Sequence, residues 1–393
     1  MVITPLFNLM ADKGASDMFF TAGAPIQIKI NGTLMPINDQ RLTPEQIQHI
    51  CHELMTPEQA REFAEIKEMN FARRGEPAPG GRPVGNFRIN IFQQRNTVSM
   101  VVRFVQPDIP AFDSLGLPPI LREVIMAKMG LILIVGSTGS GKSTTMASMI
   151  DHRNATKSGH ILTIEDPVEF AFRHRKSIVN QREVRVDTQS YEAALISAMR
   201  EAPDLIMLGE VRDRATLQSA LLFAQTGHLC MTTLHANNSY NALNRIVNFF
   251  PRDMRDAVLA DLAIGIRCVI SQRLVKTKDG GRVPAVEVLL NTKFIQELIN
   301  KGELGRIKEA MEQSMAPGSQ TFEQALYKHY ADGKITLDEA LANSDSPTNL
   351  RWLIDNAGGG KGHNQSATDE KSGAPSTGTR GNDDISIIQL TLD

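Results

Sequence analysis

The chain has 393 residues, 41% of them apolar and 22% charged, a balance that excludes a generally disordered or fibrous protein and leaves room for more than one packed core. A formal net charge of −2 offers no basic excess for tracking a phosphodiester backbone, so composition argues against a nucleic-acid partner. Cys51, Cys230 and Cys268 form no C-x-x-C pair and read as core thiols of a reducing cytosol; Met1 to Lys13 lacks the regions of a secretory signal, and no stretch nears the roughly 18 apolar residues of a membrane span.

Residues 1–105 carry no nucleotide motif and read as a small α/β domain. A helix to about Lys13 precedes Gly14-Ala15-Ser16-Asp17, and strands are expected at Met18 to Thr21 and Ile26 to Ile30. Asn31-Gly32 joins the second of these to Thr33 onward as a hairpin. Thr43-Pro44-Glu45-Gln46 and Thr56-Pro57-Glu58-Gln59 each announce a helix, with Thr as N-cap, Pro in the first turn and Gln at the capping-box position. A Gly/Pro loop from Gly75 to Gly81 leads to Asn86 to Phe92 and Val98 to Phe104, two alternating stretches that carry Arg88 and Arg103, with Arg95 in the turn between them. Prolines 107, 110, 118 and 119 mark 106–119 as an extended linker and a domain boundary.

Beyond it the pattern becomes βαβ. The run Leu131-Ile132-Leu133-Ile134-Val135 reads as a buried strand feeding Gly136-Ser137-Thr138-Gly139-Ser140-Gly141-Lys142-Ser143, with Thr144 behind. Glycines at this spacing let the backbone curl so that successive N–H groups form an anion nest at a helix start. Lys142 then reaches the outer phosphates of a nucleotide, and the Ser143 hydroxyl stands where Mg²⁺ needs an oxygen. Further strands are expected at Ile161 to Glu165, Asp204 to Leu208 and Leu229 to Thr233, with helices at Tyr191 to Arg200 and Arg214 to Gln225, giving a mainly parallel sheet covered by helices. The first of these strands ends in Glu165-Asp166-Pro167-Val168-Glu169, carboxylates able to polarise a water for attack on the γ-phosphate. The second ends in Gly209-Glu210, a Walker-B-like carboxylate for the metal. Arg212, Asp213 and Arg214 follow, as a nucleotide sensor or as the first turn of an exposed helix. His228 and His235 bracket the last strand, either as packing residues or in a coupling role.

From Pro251 onward the chain reads as helical, over Met254 to Arg267, Thr292 to Asn300, Arg306 to Glu312, Thr321 to Tyr330 and Thr336 to Ala342. Residues 357–393 are rich in Gly, Ser, Thr and Asn and are expected to be disordered; their apolar tip, Ile385 to Leu390, reads as a frayed terminus or a docking peptide.

The phosphate loop, Thr163 to Glu169, Gly209 to Asp213 and Thr226 to His235 together resemble the type IV pilus retraction ATPases, the PilT/PilU family of the secretion ATPase superfamily, over nearly the whole chain to about residue 356. That resemblance implies a PAS-like N-terminal domain (1–105), a linker (106–119) and a RecA-like ATPase domain with C-terminal helices (120–356), assembled as a ring homo-hexamer that hydrolyses ATP with Mg²⁺ between subunits. It makes Lys142 the phosphate-binding lysine, Glu169 the activator of water, Glu210 the Walker-B-type glutamate, and His228 and His235 a coupling pair. It also makes Arg88 and Arg103 candidates for reaching the nucleotide in trans, Arg95 less so. The implied setting is cytoplasmic, at the inner-membrane face of the pilus machine, with a PilT-type motor and a membrane platform protein as partners. Relatives of the PilT type carry Ala-Ile-Arg-Asn-Leu-Ile-Arg-Glu where this chain has Phe294-Ile295-Gln296-Glu297-Leu298-Ile299-Asn300-Lys301. That departure, with Ser137, Leu234 to Asn238, Gln272-Arg273-Leu274, Ala285 to Thr292 and the long C-terminal extension, is more like PilU. The alternatives are an ATP-binding scaffold for a partner motor, or a pilus-extension or type II secretion ATPase, whose paired C-x-x-C motifs and long extra N-terminal region are missing here.

Overall fold

A computed structural model describes residues 3–30, 32–75, 85–105, 108–314 and 316–358. The chain begins with α1 (Thr4–Lys13), β1 (Asp17–Phe20), β2 (Pro25–Ile30) and β3 (Thr33–Arg41). α2 (Pro44–Leu54) and α3 (Pro57–Ile66) follow, each opened by a complete capping box, Thr43 with Gln46 and Thr56 with Gln59. β4 (Glu68–Arg74), β5 (Asn86–Gln94) and β6 (Thr97–Val105) complete an antiparallel six-stranded sheet of order β3-β2-β1-β6-β5-β4. Strict alternation along β5 buries Phe87, Ile89 and Ile91 against α1 and α2 and turns Arg88 to the opposite face. The β2–β3 hairpin is as expected, although its Asn31 lies outside the described residues.

The segment expected to be an extended linker is not simply extended. Residues 106 and 107 lie outside the described residues, but Phe112–Leu115 form a 3-10 turn, and buried Phe112 and Leu117 pack into the core beneath the second sheet. Two apolar side chains suffice to pin a proline-rich stretch to a neighbouring surface.

The second half continues with α4 (Ile120–Ile125), β7 (Gly130–Val135), α5 (Lys142–Thr156), β8 (Gly159–Glu165), β9 (Ser177–Glu183), α6 (Tyr191–Ala198), β10 (Leu205–Leu208), α7 (Arg214–Gln225), β11 (Leu229–Leu234), α8 (Ser239–Asn248) and α9 (Arg255–Gly265). It then departs from the helical expectation. β12 (Ile266–Lys276) and β13 (Arg282–Leu290) are long strands, and helices return with α10 (Lys293–Asn300), α11 (Ile307–Glu312), α12 (Phe322–Ala331), α13 (Leu337–Ala342) and α14 (Pro347–Gly358). The resulting seven-stranded sheet has the order β13-β12-β7-β11-β10-β8-β9, parallel throughout except for the β12–β13 pair. β7, β10 and β11 are buried along their whole lengths, as a sheet covered on both faces requires. The residues 359–393 expected to form a disordered tail lie outside the described residues, together with Ile385 to Leu390.

Candidate active site

In a parallel sheet every strand delivers its C-terminal end to the same edge, and ligands bind there. Here that edge collects the phosphate loop after β7, Glu165 to Glu169 after β8, Glu210 after β10 and His235 after β11. They line one cavity of about 1210 Å³, closed on its other side by Asp17, Lys29, Arg88 and Arg103 of the first sheet.

The loop is shaped by its glycines and by β12. Gly141 has φ +87, and a Cβ there would stand 2.7 Å from Gln272 Nε2. α5 starts at Lys142, whose Nζ donates to the carbonyls of Gly136 (3.0 Å) and Ser137 (2.9 Å). Burial lowers the Lys142 pKa, and the carboxylates of Glu210 and then Glu169 act against that shift. Thr138, Gly139, Gly141, Ser143 and Thr144 line the cavity, while Ser140 is buried beneath the loop.

The acidic loop is held by side chains of β8 and β9. Buried Glu165 accepts from Thr163 Oγ1 (2.7 Å), Gln181 Nε2 (3.1 Å) and the Glu169 amide (3.3 Å). Its pKa is raised, desolvation outweighing these donors. Glu183 accepts from the Val168 amide, and Gln181 bonds both Phe172 N and Phe170 O. Glu165 is thus occupied as a brace, while Asp166 and Glu169 also line the cavity. There Arg88 Nη2 meets Glu169 Oε1 at 3.1 Å and the Pro167 carbonyl at 3.2 Å.

Arg88, Arg103 and Asp17 are direct partners across the adjacent strands β5, β6 and β1, so they share one face of the first sheet. Arg103 Nε donates to Asp17 Oδ1 at 2.8 Å. Arg88 reaches the acidic loop of its own chain, and Arg103 lines the same cavity. Arg95 sits at φ +44 in the β5–β6 turn, roughly 20 Å along the strand from Arg88, and does not line the cavity.

Glu210 accepts from Arg212 Nε at 2.8 Å and lies 3.3 Å from His235 Nε2. The charge cluster after it divides its work: Asp213 caps α7 by accepting from the Thr216 amide, Arg214 lies over the Phe250 ring, and Arg212 turns to the cavity. The histidines divide too. His235 lines the cavity, whereas His228 stands at the other end of β11, edge-on to Phe223 at 5.3 Å. Gln272-Arg273-Leu274 stood out in the sequence only as a PilU-like feature, and Gln272, Leu274 and Arg282 were given no site role because 268–291 lies in a stretch expected to be helical overall, between its named helices; the polar Ser271-Gln272-Arg273 inside an apolar run was the available signal.

The model of the Type II/IV secretion system protein family matches residues 2–342. The chain is 47% identical over 355 residues to the type IV pilus ATPase PilU of Pseudomonas aeruginosa, covering 90% of this chain and 91% of that protein. It is 38% identical over 350 residues to the same organism's type IV pilus retraction ATPase PilT, covering 89% of this chain and all of that one. The crystal structure of the pilus retraction motor PilT with bound ADP superposes with a TM-score of 0.81 at 43% identity, covering 89% of this chain and 99% of that one. On these matches the chain belongs to the type II/IV secretion family, in its PilT/PilU branch, and is an ATPase.

Proposed function

We propose that this ATPase is a hexameric motor of the type IV pilus that couples ATP hydrolysis to pilus retraction, as a PilU-type accessory to a PilT-type motor. The observation that carries this reading is the Arg88–Glu169 pair, an arginine of the first sheet set against a carboxylate of the second above the phosphate loop. Such a pair makes the relative placement of the two sheets depend on what the cavity holds. The phosphate loop binds the nucleotide, Glu169 takes the proton from the attacking water, and Arg88 and Arg103 stabilise negative charge on the transferring phosphoryl group. Arg212 and His235 hold Glu210 in place, and His228 is too remote to join them.

Residues for Mg²⁺ fit its chemistry. Among the described residues no group of three or more His, Cys, Asp or Glu could hold a metal, but Mg²⁺ needs only one or two protein oxygens beside phosphate and water. Ser143 and Glu210, both lining the cavity, would supply them. When bound, the ion would neutralise phosphate charge.

We read 1–105 as a PAS-like domain, 106–119 as its connection and 120–356 as a RecA-like domain, with the ring on the cytoplasmic face of the inner membrane against a platform protein. No described helix is long and apolar enough to cross a membrane. Pilus retraction should be measured in cells carrying Glu169→Gln, with and without a PilT-type motor. Loss of retraction force in the presence of that motor supports the reading, and unchanged force contradicts it.

A further inference from the structure

β12 extends past the end of its neighbour. Its parallel pairing with β7 ends at Ser271 opposite Val135, so the next residue, Gln272, flanks the phosphate loop instead of a strand. Alternation sends Ser271 and Arg273 to one face, where they bond Glu287 and Asp345, and sends Gln272 with Leu274 to the face that carries α5. Gln272 is 2% exposed. Its Nε2 donates to the Ser140 carbonyl at 2.7 Å, and its Oε1 accepts from Thr145 Oγ1 at 2.7 Å. The amide has only one workable orientation, because the reverse would set its oxygen against the Ser140 carbonyl. Added Cβ atoms at Gly136 and Gly141 would stand 2.6 Å from the Gln272 carbonyl oxygen and 2.7 Å from its Nε2, so the loop lies directly on this residue.

We infer that Gln272 is a positioning residue for the phosphate loop. By drawing the Ser140 carbonyl outward and tying it to the first turn of α5, it fixes the peptide planes so that the loop N–H groups converge on the nucleotide phosphates. The inference rests on reading Gly136 to Ser143 as the phosphate-binding loop. Leaving the loop carbonyl and the Thr145 hydroxyl unpaired removes that alignment before any phosphate arrives.

The test is the affinity of the full chain for ADP carrying a fluorescent label on the ribose, with magnesium, together with steady-state ATP turnover. Gln272→Met keeps the volume and removes both hydrogen bonds; Gln272→Glu keeps the acceptor and sets a carboxylate oxygen against Ser140. Both should weaken ADP binding about tenfold or more and raise KM in step, with kcat at saturation changed less than about threefold. A purely structural role would instead lower kcat through loss of folded enzyme and leave KM alone. Wild-type ADP affinity in both variants, with binding lost in Lys142→Ala, overturns the role of Gln272. Wild-type affinity in Lys142→Ala overturns the loop reading itself. If the Gln272 variants fail to fold, Thr145→Val tests the clamp from its other side: a weakening of about threefold supports it and an unchanged affinity overturns it.

Discussion

Arg88 and Glu169 are half-exposed, and a surface ion pair of that kind contributes little to stability. Its interest is chemical. Arg88 Nη2 spans Glu169 and the Pro167 carbonyl, and the residue lines the cavity where an anion would bind. Arg88→Ala should lower kcat/KM for ATP at least about a hundredfold, and Arg88→Lys, which lacks the planar fork, should recover less than a tenth of that loss. Steady-state turnover checks both, and a twofold effect would remove Arg88 from the reaction. A second residue lends itself to a pH test. Glu287 Oε1 accepts from Ser239 N, Ser239 Oγ and Ser271 Oγ, yet burial raises its pKa above the ordinary 4.5. The folded chain therefore holds this proton more tightly than the unfolded one. That contribution to stability is present below about pH 4.5 and is lost as pH rises through the folded value. Glu287→Gln keeps an acceptor for the three donors and abolishes the titration, so its Tm relative to the parent should rise by a few degrees between pH 5 and pH 8. Equal Tm differences at both pH values in calorimetry would contradict this.

At the level of elements, what could be read from the sequence tracks how completely each strand is covered. β7, β8, β10 and β11 are largely apolar runs followed or ended by Gly136, Glu165, Gly209-Glu210 and His235, and the chemistry at their ends was legible with them. β4 and β9 are edge strands with charged residues, Glu68-Met69-Asn70-Phe71-Ala72-Arg73-Arg74 and Ser177-Ile178-Val179-Asn180-Gln181-Arg182-Glu183, and gave no clear period. β12 was lost for another reason: its polar residues are buried or half-buried because each has a specific partner, Ser271 the Glu287 opposite it on β13, and Gln272 and Arg273 residues far along the chain. Arg273 bonds Asp345, Asn343 O and Asn237 O and lies 4.0 Å over the Phe322 ring, joining β12 to the helices α12 to α14. Arg273→Ala leaves Asp345 half-buried with only Asn238 as a hydrogen-bond donor, and should destabilise this C-terminal part by about 2–3 kcal/mol. Hydrogen exchange should show faster exchange in α12 to α14 with β7 and β11 unchanged; uniform protection would refute the latch.

For the whole molecule, the decisive arrangement is that two sheets of different construction face each other across one cavity, and each supplies what the other lacks. The second sheet carries the phosphate loop and its carboxylates, while the first brings Arg88 and Arg103 from cross-strand positions. Alternation marked the two strands that carry the arginines, and the family resemblance made those arginines candidates. Neither revealed that Asp17 would orient one and Glu169 engage the other, since those contacts span 86 and 81 residues of sequence. Assembly into a ring should appear as a particle near six times the 43.3 kDa chain mass by mass photometry with ADP and magnesium, and a monomer under those conditions would contradict the hexamer. The central claim, that ATP is cleaved in this cavity with Glu169 as the base, is tested most directly by comparing turnover and nucleotide binding in purified Glu169→Gln. ATP turnover should fall by about a hundredfold or more while the affinity for labelled ADP stays within about threefold of the parent. Turnover within twofold of the parent would contradict it.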